Sequence, residues 1–448
     1  MNDFLNKEKL KKTLQRIEEN IEDASTITMA GTIMKITGMK LEASGLAAPI
    51  GTICKIKISP HRYINAEVVG FSDDITYLMA IGDMQGIKQG TRVYPSNKVQ
   101  EARVGMALLG RIIDAAGNPI DGKGPIDAEG YYSLFAEAVN PLQRQRISQP
   151  LDVGIRCINA LLTVGKGQRL GIFAGSGIGK SVLLGMMTRF TQAEVVVVGL
   201  IGERSREVKE FIEESLGAEG LAKSVVVAAP ADTSPLMRVN GAAMASSIAE
   251  YYRDKGMDVL LIVDSLTRYA QAQREISLSV GELPATKGFT PSVFAKLAQL
   301  VERSGNGPEG KGSITAFYTV LVEGDDHTEP VADHSRSLLD GHIFLSRHLA
   351  DAGHYPAIDI ERSISRVMTA VIDAEHQSLA NTFKKLYSSY VKNKDLVNIG
   401  MYQHGADKTL DEAIKRFGEM EKFLRQGTNE CADMQTSLAQ LKAVLGVG

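Results

Sequence analysis

Apolar residues in the first part of the chain recur at helical spacing. Leu10, Leu14, Ile17 and Ile21 lie four, three and four residues apart, which lines up one seam on a helix. Lys7, Lys9, Lys11, Lys12 and Arg16 crowd its beginning, and Glu18, Glu19, Glu22 and Asp23 its end. That order opposes the helix dipole, so residues 1–24 are expected to be weak alone and to serve as a docking helix for a partner; a helix packed on its own domain is the other reading. From about Thr26 to Ser96 the runs become short, β-rich and glycine-punctuated (TITMAGTIMKITG, GTICKIKI, INAEVVGFSDDITYLMAI, TRVYP), which predicts a small closed barrel over 25–97. From about Gly110 to Asp359 near-continuous apolar runs (GQRLGIFA, AEVVVVGLI, SVVVAA, DVLLIVD, GSITAFYTVL, HIFLS) alternate with helical spacing. Such runs fit parallel strands covered on both faces, an α/β sheet with crossovers, within a domain at 98–366. Residues 367–448 read as helical, with seams at Leu379, Phe383, Leu386 and Tyr390 and at Leu438, Leu441 and Leu445.

Composition narrows the class. The chain has 448 residues, 50 Lys and Arg against 53 Asp and Glu, and 44% apolar residues, which are globular proportions. A net charge of −3 without a basic-aromatic platform in the barrel argues against a nucleic-acid binder. Cys54, Cys157 and Cys431 are too dispersed for a metal knuckle and read as reduced thiols. No apolar stretch approaches the ~20 residues that span a bilayer, and the charged N-terminus does not read as a secretory leader. A soluble cytosolic protein is expected.

The clearest chemistry lies in Ala174-Gly175-Ser176-Gly177-Ile178-Gly179-Lys180-Ser181, which follows a strand and opens a helix. Glycines let successive N–H groups turn around phosphates, and the helix N-terminus adds positive potential. Lys180 would reach the β and γ phosphates and Ser181 would ligate Mg²⁺. Ala174 stands where the usual pattern has its first glycine. Asp264, closing the strand VLLIVD, is the candidate metal acid. Glu203 follows AEVVVVGLIG at a strand's carboxyl end, where open α/β sheets bind ligands; it could polarise an attacking water or be a surface glutamate in a βα turn.

The segments AGSGIGKS, LIGERSREVKEF, VLLIVDSLTRYAQAQRE and HYPAIDIERSISRV resemble the catalytic chains of rotary ATPases. Pro356-Ala357-Ile358-Asp359 followed by Ser363 and Ser365 is similar to the signature of ATP synthase α and β chains. The runs GELPATKGFTPSVFAKLAQLVERSGNG and GSITAFYTVLVEGDD bring the resemblance closest to the ATPases of type III export, the flagellar ones above all. The resemblance implies a RecA-like P-loop ATPase core with an N-terminal β-barrel and a C-terminal helical domain. It implies an ATP-hydrolysing, protein-translocating enzyme with ATP and Mg²⁺ as its cofactors. Gly175, Ser176, Gly177, Ile178, Gly179, Lys180 and Ser181 would hold the phosphates, and Ser181 and Asp264 the metal. Glu203 would orient the hydrolytic water, and Arg204 and Arg268 would stand around the γ-phosphate. Arg366 would be the arginine finger inserted by a neighbouring subunit. Tyr355 would stack on adenine and Phe423 would be a second pocket aromatic, while Thr428 replaces a further aromatic of the synthase.

The same resemblance implies a homohexamer, a FliH-like dimeric regulator at the N-terminal helix and a FliJ-like coiled-coil stalk in the central pore. It further implies export substrates with their chaperones, an export gate, no nucleic-acid partner, and a cytoplasmic chain peripherally associated with the inner membrane. Virulence-type secretion ATPases share this chemistry, and local motifs barely separate them from the flagellar ones. A rotary synthase subunit would need a partner chain of the same fold, and a Rho-like helicase a barrel that binds RNA.

Overall fold

The computed structural model describes residues 30–322 and 329–447, so the docking helix expected at 1–24 lies outside the described residues. The chain divides into two units between Val99 and Gln100.

In the first unit β1 (Gly31–Thr37), β2 (Lys40–Ser44), β3 (Thr52–Ser59), β4 (Arg62–Ser72), β5 (Ile75–Ala80) and β6 (Arg92–Val99) form the closed barrel that the pattern predicts. Its order is β1-β2-β5-β4-β3-β6, and every neighbouring pair is antiparallel. Alternation decides which face turns inward: in β3, Cys54 and Ile56 are buried while Lys55 and Lys57 are exposed. Ile33, Leu41, Val68, Leu78 and Val93 complete the core. Burial raises the Cys54 thiol to about 11, as expected of an inert packed cysteine.

The second unit opens with β7 (Glu101–Val104), β8 (Arg111–Asp114) and β9 (Gly130–Ser133), of which β7 and β9 pair as a ribbon. A second ribbon joins β10 (Pro150–Leu151) to β11 (Val164–Gly165). The main sheet then adds β12 (Arg169–Ala174), β13 (Val195–Ile201), β14 (Ser224–Ala229), β15 (Asp258–Asp264), β16 (Gly305–Asn306), β17 (Ser313–Leu321), β18 (Gly341–Leu345) and β19 (Ile358–Ser365). Its order is β19-β18-β12-β17-β15-β13-β14-β8, with β16 beside β17. The strands from β18 to β8 run parallel. All seven residues of β13 are buried, because helices cover both faces of the sheet.

Long apolar runs do not announce the outermost strands, β8 and β19. The latter runs antiparallel to β18 and buries only part of its length. Edge position explains this, since one side lacks a neighbour and part of the strand meets water. The helix Pro235–Asp254 starts where its sequence allows: Pro235 fits the first turn and Ser234 Oγ accepts from the Met237 N–H.

Helices Ala374–Asn398, Lys408–Leu424 and Met434–Leu445 close the chain. Leu379, Phe383, Leu386, Leu441 and Leu445 are buried as their seams predict. Tyr390 stacks on Phe417 with centroids 3.7 Å apart. These side chains join one continuous core with Ile158, Leu161 and Met187 of the α/β region.

A buried ion pair ties the end of helix Pro291–Glu302 to helix Pro235–Asp254. Arg303 binds Glu250 through two hydrogen bonds of 2.8 and 2.7 Å, and both residues are almost inaccessible. Removing the cation strands a buried carboxylate. Arg303→Ala should lower unfolding free energy by about 3–5 kcal/mol, measured by chemical denaturation.

Candidate active site

The phosphate-loop candidate sits at the carboxyl edge of β12, between Ala174 and helix Lys180–Phe190. Gly177 and Gly179 have φ of +75° and +86°, left-handed values that L side chains rarely adopt. Such backbone makes N–H groups converge on an anion. Ile178 is buried and anchors the loop to the core, while Ser176, Gly177 and Ser181 are exposed.

Three strands bring their charges to one point. The Lys180 ammonium donates to Glu203 Oε1 at 2.9 Å and to Asp264 Oδ1 at 2.5 Å. Glu203 follows β13 by one turn residue and Asp264 ends β15. Between β12 and β15 runs β17, whose Thr319 Oγ1 donates to the same Asp264 oxygen at 2.5 Å. The Asp264 side chain is 3% exposed, and the Asp264–Ser265 peptide is cis. Burial works against the Lys180 ammonium, but Asp264 and Glu203 outweigh it and hold the group above its usual range. Burial likewise pushes the Asp264 carboxyl up, despite the neighbouring cation. One ammonium faces two carboxylates, so with both ionised the cluster carries an excess of negative charge.

The arginines are dispersed around this point. Arg204 sits at the N-cap position of helix Ser205–Glu210, with its side chain mostly in solvent and paired with Glu207 at 3.2 Å. The Arg268 stem lies against Gly202, where an added Cβ would come within 2.7 Å of the Arg268 Cβ. Its Nη1 donates to Gln271, and its buried Nε has no hydrogen-bond partner among the described residues. Arg366 lies at the other edge of the sheet: it follows β19, its N–H donates to Asp340 O and its Nη1 to Leu339 O, just ahead of β18. Tyr355 is 45% exposed, and its ring packs over Gly179, 3.3 Å from where a Cβ would stand.

Comparison with known proteins agrees with this architecture. The nucleotide-binding domain of the ATP synthase alpha/beta family matches residues 154–365, and that family's beta-barrel domain matches 33–97. The C-terminal domain of the type III secretion ATPase EscN matches 372–443. The flagellum-specific ATP synthase of Pseudomonas aeruginosa is 57% identical over 93% of each chain, and that of Salmonella typhimurium is 54% identical over 96% of this chain and 97% of its own. The solved structure of assembled EscN from enteropathogenic E. coli superposes with a TM-score of 0.87 at 43% identity, over 93% of this chain and 100% of that one. EscN in complex with its central stalk EscO gives 0.86 at 42%, with the same coverage. The chain belongs to the ATP synthase α/β family.

One expectation drawn from that family is corrected here. Phe423 was expected beside the base, but its ring is 3% exposed and packs on Phe383 with centroids 5.3 Å apart. Helix Lys408–Leu424 turns this position into the shared core, which leaves no free ring face for stacking. Thr428, which stands where the synthase pattern has a further aromatic, is exposed, and its carbonyl accepts from Arg189.

Two further residues stand at this candidate site. Thr319 was readable as a polar residue inside the apolar run GSITAFYTVL. Arg347 stands just beyond β18, at the carboxyl edge where ligands bind in such sheets, and its Nη2 donates to Ser176 O at 2.9 Å.

The contrast between the two aromatics is measurable. Phe423→Ala should cost about 3–5 kcal/mol of stability with little change in KM for ATP in the folded enzyme. Tyr355→Ala should raise KM with little loss of stability; thermal melts and steady-state kinetics of both variants check this.

Proposed function

We infer that this chain is the ATP-hydrolysing motor of flagellar type III protein export, working as a ring of identical copies. The convergence of Lys180, Glu203 and Asp264 behind a glycine loop carries the reading. Relatives named flagellum-specific are 45–57% identical, with those of Pseudomonas aeruginosa and Salmonella typhimurium at 57% and 54%, against 42–46% for type III secretion ATPases, which favours the flagellar assignment.

On ATP binding, Lys180 would exchange its two carboxylates for the β and γ phosphates, meeting negative charge with negative charge. Glu203, released from the ammonium, could then accept a hydrogen bond from water and align it with the γ-phosphorus. The Ser181 hydroxyl and the Asp264 carboxylate fit a Mg²⁺ site, because both are oxygen donors and the cluster around Asp264 carries excess negative charge. Held by Ser181 and Asp264, the ion would supply positive charge against the negative charge that develops on the transferring phosphoryl group. Arg204, tied only by an exposed pair, can swing toward the phosphates. Arg268 has an uncommitted buried Nε to offer. Tyr355, above Gly179, is placed to carry the adenine.

Arg366 cannot complete this site within its own chain. The amino ends of β18 and β12 lie roughly 13–17 Å from their carboxyl ends at about 3.3 Å per residue, and the phosphate loop lies beyond those ends, out of reach of an arginine side chain. That placement supports a finger that serves the neighbouring copy, with each site shared between two subunits. EscN is described as assembled and as binding a central stalk; we extend both to this chain as a homohexamer around a FliJ-like stalk. A FliH-like regulator on residues 1–24, export substrates with chaperones, and the export gate complete the proposal. Among the described residues no helix is long and apolar enough to cross a membrane, so partners would bring the cytoplasmic ring to the inner membrane.

Shared sites make turnover depend on assembly. Specific ATPase activity should rise with protein concentration as rings form, and a constant rate from a species that stays monomeric in sedimentation would overturn the proposal. Arg366→Ala should retain nucleotide binding while kcat falls by about 10³- to 10⁵-fold; undiminished turnover would exclude the finger.

A further inference from the structure

We propose that Arg347 is a positioning residue that sets the conformation of the phosphate loop, and that Gly175 is glycine to admit its guanidinium. The proposal rests on reading the loop as the ATP-phosphate site.

Parallel pairing of β12 with β18 places Phe173 opposite Phe344, so the residues after β18 lie beside the loop after β12. Arg347 uses this adjacency, and its Nη2 donates to the carbonyl of Ser176 at 2.9 Å. A trans peptide points its C=O and the following N–H in opposite directions. Holding the Ser176 oxygen toward Arg347 therefore aims the Gly177 N–H away from it, across the loop. Gly177 is itself left-handed and exposed, with no side chain to fix its orientation. A charge-assisted hydrogen bond from a neighbouring strand supplies that constraint.

Gly175 supplies the second observation. Its φ lies outside the left-handed region, so the backbone does not require glycine there. A Cβ at Gly175 would stand 3.0 Å from Arg347 Nη2, and the next nearest atom is Val322 O at 3.7 Å. The space that glycine leaves is the space the guanidinium occupies.

A brace acts on the cradle as a whole, not on the reacting phosphate. In the full-length chain with Mg²⁺, titration calorimetry with ADP and with the imido analogue of ATP should show Arg347→Ala weakening both about 10- to 100-fold. kcat at saturating ATP should stay within about twofold, and Arg347→Lys should recover part of the affinity because an ammonium can still donate to the carbonyl. Gly175→Ala should weaken binding when Arg347 is present and cost much less in the Arg347→Ala background. Melting temperatures of all variants near that of the parent chain separate these effects from misfolding. Unchanged affinities in Arg347→Ala would overturn the proposal. So would weakening of the ATP analogue alone or loss of kcat with binding intact, either of which would make Arg347 a direct contact to the γ-phosphate. An equal cost of Gly175→Ala in both backgrounds would also overturn it. Failure of the parent chain to bind either nucleotide would instead overturn the ATPase reading.

Discussion

A single ammonium, that of Lys180, holds together two carboxylates that would otherwise repel each other inside the protein. Glu203 and Asp264 come from different strands, and both are largely removed from water. Burying like charges is costly unless a cation and hydrogen bonds compensate. Lys180 supplies the cation and Thr319 the additional hydrogen bond. The same ammonium must also be what a phosphate attracts. In the proposed mechanism a nucleotide would rearrange the cluster by offering Lys180 another anion, releasing Glu203 without displacing any strand.

That cluster exists only because the sheet is polar. Parallel strands put every carboxyl edge on one side, so the loop after β12, Glu203 after β13, Asp264 at the end of β15 and Arg347 after β18 share one rim. The antiparallel strand β19 does the reverse: it carries the chain back and delivers Arg366 to the amino edge. One reversed edge strand thus separates Arg366 from the Lys180 cluster within a chain, and the proposed finger role rests on joining copies to bring them together.

The helical end of the chain is less separable than its sequence pattern suggests. Its seams at Leu379, Phe383 and Leu441 pack into the core of the α/β region, and Arg156 donates to the carbonyls of Phe423 and Arg425 at the end of helix Lys408–Leu424. Gln426 N–H in turn donates to the carbonyl of Tyr355 at 3.0 Å. The end of these helices is therefore hydrogen-bonded to the backbone of Tyr355, whose ring packs over Gly179. Phe423 belongs to this junction as a packed core residue.

Much of the molecule was legible in the linear chain. Barrel strands follow from alternation, as in Cys54-Lys55-Ile56-Lys57, and buried parallel strands from unbroken runs such as Val195–Ile201, because one-sided and two-sided burial leave different periods. The phosphate loop followed from glycine spacing and from the strand before it. Family resemblance singled out Arg366 and Tyr355, since an isolated arginine or tyrosine carries no local signature, while Glu203 stood out by its place after a strand and the resemblance chose between its two readings. Tertiary structure alone decided which charges meet. The contact of Lys180 with Glu203 and Asp264 depends on strand order, with β17 inserted between β12 and β15. The brace from Arg347 depends on β18 pairing beside β12. Whether Phe423 faced a base or a core depended on how its helix was turned, and helical periodicity is the same for either partner.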